Sequence, residues 1–353
     1  MKNIAIASNE TLKPRPFWLG FQVALIAVGL VIVGALLWAP TLGLHLLWDV
    51  LIPAAPLLFV LVPGFWRNVC PVSTAGMLAQ RTGRSFKRKI STGAAAWLGL
   101  AGVALLYVAV PLRHVIFDLN GMASAVFLVV AALLAFGLGI SFAWKSAWCA
   151  GLCPVRPVEA LYGFRPAARF ANAHCGSCAS CSSPCPDSTA EAVLHGKPDS
   201  RAKKLVDVFM VGGFVGFIWG WFHVVDYAGF EGWKHLGEIY AWPFMAAAVT
   251  SATYLLLLAT VPKASHTLIR QLFACAAVSC YYWYRLPMLL GFGLFPDDGM
   301  LINLSASLPA FVPLVLPFCT TAFFVWWMVV RPQRGTAWMI RPAMLPVSER
   351  LHR

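Results

Sequence analysis

An all-α, multi-pass membrane protein of about eight transmembrane helices, with a small cytoplasmic cysteine-rich insertion, is the fold class this sequence predicts, on three observations. Of its 353 residues, 59% are hydrophobic and 12% charged, which is too little polar surface for a chain that must dissolve in water. Apolar runs long enough to cross a bilayer recur along it, and the basic residues gather on one side of those runs. The insertion is marked by a dense run of cysteines between the fourth and fifth runs.

The first run, Phe17 to Trp38, is too long for a signal-peptide core and no small-residue cleavage pattern follows it. It therefore reads as a retained helix. Leu44 to Trp66, Ala94 to Phe117, Met122 to Trp144, Leu205 to Tyr227, Ala241 to Val261, Gln271 to Phe295 and Leu301 to Val330 follow. Pro53, Pro56 and Pro63 lie in the second, which is expected to kink or break. Fifteen Trp and 24 Phe suit the aromatic belts of the two bilayer interfaces.

Alternation of the spans puts about 24 of the 27 Lys and Arg on one side, leaving Arg113, Lys234 and Arg285 for the other. The positive-inside rule then places both termini and the cysteine loops in the cytoplasm, in a bacterial inner membrane. The net charge of +13 is thus mostly a topology signal that also attracts anionic lipid headgroups. It does not indicate nucleic acid, because the basic residues are dispersed rather than gathered on one polar module. The chain divides into a membrane half at 1–147 with a first Cys-Pro loop at 66–91, a cytoplasmic segment at 148–204, a second membrane half at 205–330, and a basic tail at 331–353.

Cys175, Cys178, Cys181 and Cys185, followed by Pro186, have the spacing C-x2-C-x2-C-x3-C-P. In bacterial ferredoxins three cysteines of such a run hold one [4Fe–4S] cluster and the fourth reaches a neighbouring cluster. Thiolates are the soft ligands such clusters require. Zinc sites usually separate two C-x2-C pairs by a longer loop, and a disulfide framework is disfavoured in a reducing cytoplasm. Cys149 and Cys153, at C-x3-C before Pro154, match the last two cysteines of a ferredoxin run, with Ala143 and Ser146 at the first two positions. Cys153 is therefore expected to complete a first cluster with Cys175, Cys178 and Cys181.

An earlier segment repeats this element imperfectly. Cys70-Pro71 aligns with Cys153-Pro154, Val72 with Val155 and Leu78 with Leu161, while Trp66 stands where Cys149 would be. The pattern reads as an internal duplication of hairpin plus cysteine loop. Cys70, Cys149 and Cys185 are left for a second cluster with an open iron or a non-cysteine ligand such as Ser146 or His174. The alternative is one cluster and three unligated thiols. Cys275, Cys280 and Cys319 fall inside spans and read as packing residues.

These motifs resemble those of the membrane-bound polyferredoxin family. It includes the ferredoxin-type quinol dehydrogenases of periplasmic nitrate reductase, the membrane half of the nitrous-oxide-reductase regulatory flavoprotein, and cytochrome-oxidase accessory proteins. The likeness covers Trp66 to Pro186. It implies cluster ligation by Cys149, Cys153, Cys175, Cys178, Cys181 and Cys185, less directly by Cys70, and electron transfer between membrane quinol and partner proteins. One ferredoxin run is missing relative to that family, and Trp66 replaces a cysteine.

On the side opposite the cysteines, His45, His114, His223 and His235 accompany Asp49, Asp118, Asp226, Glu231, Glu238, Asp297 and Asp298. Quinol oxidation releases protons, and such groups beside a lipid-accessible pocket are suited to accept them. His45, His114, His223, Asp226 and Arg285 are the candidate quinol and proton site. Rival readings are haem b held by two of the histidines, a second metal site, or solvated loop ends, since nothing here has ligand spacing. Arg285 stands inside an apolar run, which makes it either functional or a cation snorkelling outward from Tyr284.

The function expected is electron transfer between quinol, or a soluble donor, and a partner redox enzyme. The basic loop from Arg81 to Lys89 would dock an acidic ferredoxin or flavodoxin, or serve only as a topology anchor. The alternatives are a maturation factor for a metalloenzyme and a structural subunit whose cluster carries no electrons.

Overall fold

A computed structural model describes residues 4–6, 16–143, 147–174, 198–227, 231–295, 299–309, 311–332, 338–340 and 344–346. Its helices are α1 (Pro16–Trp38), α2 (Pro40–Leu61), α3 (Pro63–Val69), α4 (Pro71–Arg81), α5 (Thr92–Ala109), α6 (Gly121–Ser141), α7 (Arg156–Tyr162), α8 (Arg201–Trp221), α9 (Leu236–Thr260), α10 (His266–Leu289) and α11 (Val312–Val330). Proline opens α2, α3 and α4, where its missing N–H would have no helical partner anyway. Side-chain caps open others: Ser91 accepts from Ala94 N–H at 3.2 Å and Asn120 from Ala123 N–H at 3.0 Å. Each satisfies one orphan donor of a first turn. Among the described residues, strands are confined to two short pairings, Ile4–Ile6 with Met344–Pro346 and Phe170–Ala171 with Met339–Ile340.

Among the described residues, seven helices are long and apolar enough to cross a membrane: α1, α2, α5, α6, α8, α9 with the turn before it, and α11. Leu30, Val31, Leu133, Leu256 and Phe318 point out of the bundle, as a lipid solvent requires. The expected span Gln271 to Phe295 forms α10, which is 24 residues long but less apolar than the seven. It runs through the interior and buries Arg270, Gln271 and Arg285 against protein. Expected boundaries shift elsewhere. The last span begins at Val312 rather than Leu301, consistent with Pro309 and Pro313 opposing an earlier start.

Of the three prolines in the second span, Pro63 is the one that breaks it. Val62 leaves helical geometry at φ −141°, ψ 57°, and α3 restarts at Pro63. Near Pro56 the helix continues because α10 supplies a substitute. The Tyr282 hydroxyl donates to Pro53 O at 2.6 Å and accepts from Leu57 N–H at 3.0 Å. In lipid such groups must be satisfied within the protein.

Close helix approach rests on small residues. Gly212, Gly216 and Gly220 recur every fourth residue along α8 and lie against α9, where a methyl at Gly220 would come within 2.6 Å of Trp242 O. This is the small-xxx-small pattern of membrane helix pairs. Three of the π-helical stretches carry polar or thiol residues: His45–Leu51 holds Asp49, Trp148–Leu152 holds Cys149, and Asp207–Gly213 holds Asp207. A wide turn re-aims the side chain it carries, and such turns are frequent at functional sites.

Candidate functional site

Alternation of the helices puts two polar assemblies at opposite ends of the bundle. At one end lie the cysteine loops. Cys70 separates α3 from α4 with φ −51°, ψ 122°, and Cys153 separates the Trp148–Leu152 turn from α7 with φ −60°, ψ 120°. The two Cys-Pro steps thus share one backbone conformation, extended between two helical pieces. Cys70 N–H donates to Trp66 O at 2.8 Å and Cys153 N–H to Trp148 O at 2.9 Å.

Both loops converge. Burial pushes the Cys153 thiol up to about 12, and the neighbouring Cys149 and Cys70 add to the effect. Neither Cys70, Cys149 nor Cys153 is in a disulfide. Among the described residues no group of three or more His, Cys, Asp or Glu is close enough to hold a single metal ion. Cys175, Cys178, Cys181 and Cys185, and Ser146, lie outside the described residues.

A buried frame joins the loops. Arg67 of α3 pairs with Glu159 of α7 at 2.6 Å, with 5% and 3% of the side chains exposed. A buried pair of this kind aligns two elements more than it stabilises them, since desolvation offsets much of the attraction. Trp338, wholly buried, lies between Arg67 and Arg156 with ring distances of 5.5 and 5.0 Å and donates to Gly163 O at 2.7 Å. The chain leading to the run from Cys175 to Cys185 is held on the same helix. Asn68 donates to Ala171 O and accepts from Ala173 N–H, both at 2.9 Å. His174 is buried with Nε2 3.2 Å from Arg67 O and Nδ1 3.4 Å from Arg81, so its ring nitrogens face protein groups rather than an open ligand position.

The opposite end assembles residues from four separate segments. Arg285 of α10 pairs with Asp49 at 2.5 Å and also donates to Trp48 O at 2.7 Å. Asp49 in turn meets His45 Nδ1 at 2.6 Å. Arg113 makes a two-pronged bond to Asp118, at 2.8 Å in each arm, and lies between Trp48 and Trp221 at 4.3 and 4.6 Å. His114 is buried, bonded through Nδ1 to Asp226 and through Nε2 to Trp221 O. Tyr281 stands where the charges of Arg285, Arg113, Asp49 and Asp118 all act on its hydroxyl.

Four of the five residues proposed for this end, His45, His114, Asp226 and Arg285, therefore belong to one assembly. His223 does not. It stacks on Trp219 at 4.1 Å and bonds that residue's carbonyl at 2.7 Å. Arg285 is paired and 2% exposed, which rules out snorkelling. His114 is equally inconsistent with a solvated loop end, and both its ring nitrogens face acceptor oxygens, leaving neither for a haem iron. His235, Glu231 and Glu238 do remain at the exposed rim. An apolar cavity of about 260 Å³, lined by Phe222, Tyr284, Pro287, Met288, Phe292 and Pro317 among others, adjoins the assembly. Met288 is shared, its sulfur 2.9 Å from Arg285 Nη1.

Arg67, Glu159 and Tyr281 were not singled out by sequence reasoning, and Arg113 was noted only as one of three cations on the outer side. Asp49 was noted only as part of an acidic balance. The signal for Asp49 was present: a carboxylate inside an apolar run is costly unless it is paired. Cys275 is buried and Cys280 packs against the core, as expected, whereas Cys319 is exposed on the bundle's outer surface. No family model, no curated protein and no solved structure matches this chain.

Proposed function

We propose that the chain is an inner-membrane electron-transfer protein that holds a [4Fe–4S] cluster at its cysteine end and draws electrons from membrane quinol near the opposite end for a partner redox protein. The observation that carries this reading is the convergence of Cys153, Cys149 and Cys70 from two like-shaped Cys-Pro steps, beside a chain that enters a ferredoxin run at residue 174. Cys153, Cys175, Cys178 and Cys181 are the proposed ligands of the first cluster. Cys70, Cys149 and Cys185 are those of a second, incomplete set. Thiols that burial keeps protonated surrender the proton when a metal binds. Cysteines spread over neighbouring loops suit a multi-iron cage better than a lone ion, whose ligands must share one coordination sphere.

When bound, such a cluster supplies one-electron chemistry at a potential set by burial and hydrogen bonding. What the chain itself contributes is position: Arg67–Glu159 and Trp338 fix the two loops, and the apolar cavity beside Arg285 offers quinol an aromatic wall with charged groups at its edge. The cytoplasmic placement of the cysteine end rests on the charge bias of the loops.

Anaerobic reconstitution, followed by EPR before and after addition of a reduced short-chain quinol, tests the reading. A cluster signal that appears on quinol addition supports it. A cluster that quinol leaves unchanged would favour the structural-subunit alternative.

A further inference from the structure

The loop at 82–91, between α4 and α5, is built against the end of α6. The last carbonyls of a helix lack partners within it, and those of α6 are taken up by this loop. Phe86 N–H donates to Ile140 O at 2.8 Å, Arg88 N–H to Ser141 O at 3.2 Å, and the Ser85 hydroxyl to Gly139 O at 2.8 Å. Ala143 N–H returns a bond to Arg88 O at 2.9 Å. Lys87, between the first two of these donors, has φ 49°, a conformation that a residue with a side chain seldom adopts. Its N–H donates to Ser85 Oγ at 3.2 Å. These bonds fix the loop's shape in advance of any ligand.

What the fixed loop presents is charge and one bare ring. Arg84, Lys87, Arg88 and Lys89 are all exposed, and none of the four enters an ion pair among the described residues. Phe86 is 72% exposed, with the Arg88 guanidinium 5.6 Å from its ring. The negative end of the α6 dipole favours a nearby cation, but it asks for neither four cations nor an exposed ring. The loop runs into Thr92, where span α5 begins, and lies along Ser141, where span α6 ends. It therefore stands at the level where two apolar helices leave the bilayer. At that level aromatic rings sit among the headgroups, and Lys or Arg meets lipid phosphate. Protein interfaces instead deplete lysine, which supplies half of the cations here.

We propose that the loop at 84–89 is a preformed binding site for the phosphate of anionic phospholipid headgroups, with the Phe86 ring seated in the bilayer interface. Arg84, Lys87, Arg88 and Lys89 supply the donors, and the bonds to α6 hold the loop in place so that little ordering is needed on binding. The site does not depend on the electron-transfer reading.

Native mass spectrometry of the full chain in detergent micelles, titrated with phosphatidylglycerol and with phosphatidylcholine of matched acyl chains, tests it. A cation beside anionic lipid is worth about fivefold in affinity, so the triple variant Lys87→Gln/Arg88→Gln/Lys89→Gln should lower the preference for phosphatidylglycerol on the order of a hundredfold. Lys263→Gln, which removes an exposed lysine from the turn between α9 and α10, should leave the preference unchanged. No preference in the native protein, a preference that the triple variant keeps, or an equal loss in Lys263→Gln would overturn the proposal. In membranes, a photo-crosslinking phenylalanine analogue at position 86 is expected to label lipid. Label found instead on another protein would assign the surface to a protein partner and refute the lipid site. Should the triple variant fail to fold, the crosslink decides.

Discussion

The cysteine end and the polar end are built from the same device, a buried Arg–carboxylate pair, put to different uses. At the cysteine end Arg67 and Glu159 are one cation and one anion joining two helices, and the pair fixes where two loops meet. At the polar end three carboxylates share two guanidiniums and two histidines. The first arrangement is a single joint between two helices, and the second ties four separate segments together. The contrast teaches that a buried charge is read by its neighbours' sum rather than by its own pairing.

Removing one partner should hurt most at the cysteine end. Arg67→Met removes the guanidinium from its buried pair with Glu159 and is expected to cost about 3–5 kcal/mol, read by equilibrium unfolding in mixed micelles. It should also scatter the cysteine loops, so that reconstituted iron per chain falls with stability. An unchanged iron content would mean that the pair is not what brings the loops together.

Between the ends, Tyr282→Phe strands the Pro53 carbonyl and the Leu57 N–H that its hydroxyl bridges. The expected loss is about 1–3 kcal/mol. Iron content should not change, which separates this helix repair from the cysteine frame. At the polar end His45→Gln should cost about 0–1 kcal/mol, because the imidazole is half-exposed. The smallest effect belongs to Asp199. Its carboxyl is held below the usual range by Lys203, but the pair is fully in solvent. The depressed pKa would add stability only above the unfolded value and lose it as pH falls; Asp199→Asn should therefore leave unfolding unchanged even at neutral pH.

How much of this was legible in the sequence differs between the ends for a physical reason. Cysteine spacing is local, so Cys149-x3-Cys153 and its partial repeat at Cys70 could be read directly, and the two Cys-Pro steps share one backbone conformation. Hydropathy likewise exposed the spans, and the expected run Gln271 to Phe295 forms α10, whose polar side chains are compensated by protein rather than lipid. The polar end has no spacing at all. Asp49, Arg113, Asp226 and Arg285 come from distant segments, and only tertiary packing makes them neighbours. Composition hinted that charges inside apolar runs must be paired, but not with whom. Trp338 was invisible for the same reason: a Trp in a basic tail gives no sign that it will be buried between Arg67 and Arg156.

Iron and acid-labile sulfide, measured together on protein purified without oxygen, test the central claim most directly. At least four of each per chain, falling below one on Cys153→Ala, is the expected result for a [4Fe–4S] centre at the cysteine end. Stoichiometric zinc without sulfide, or iron that persists undiminished in Cys153→Ala, would contradict it.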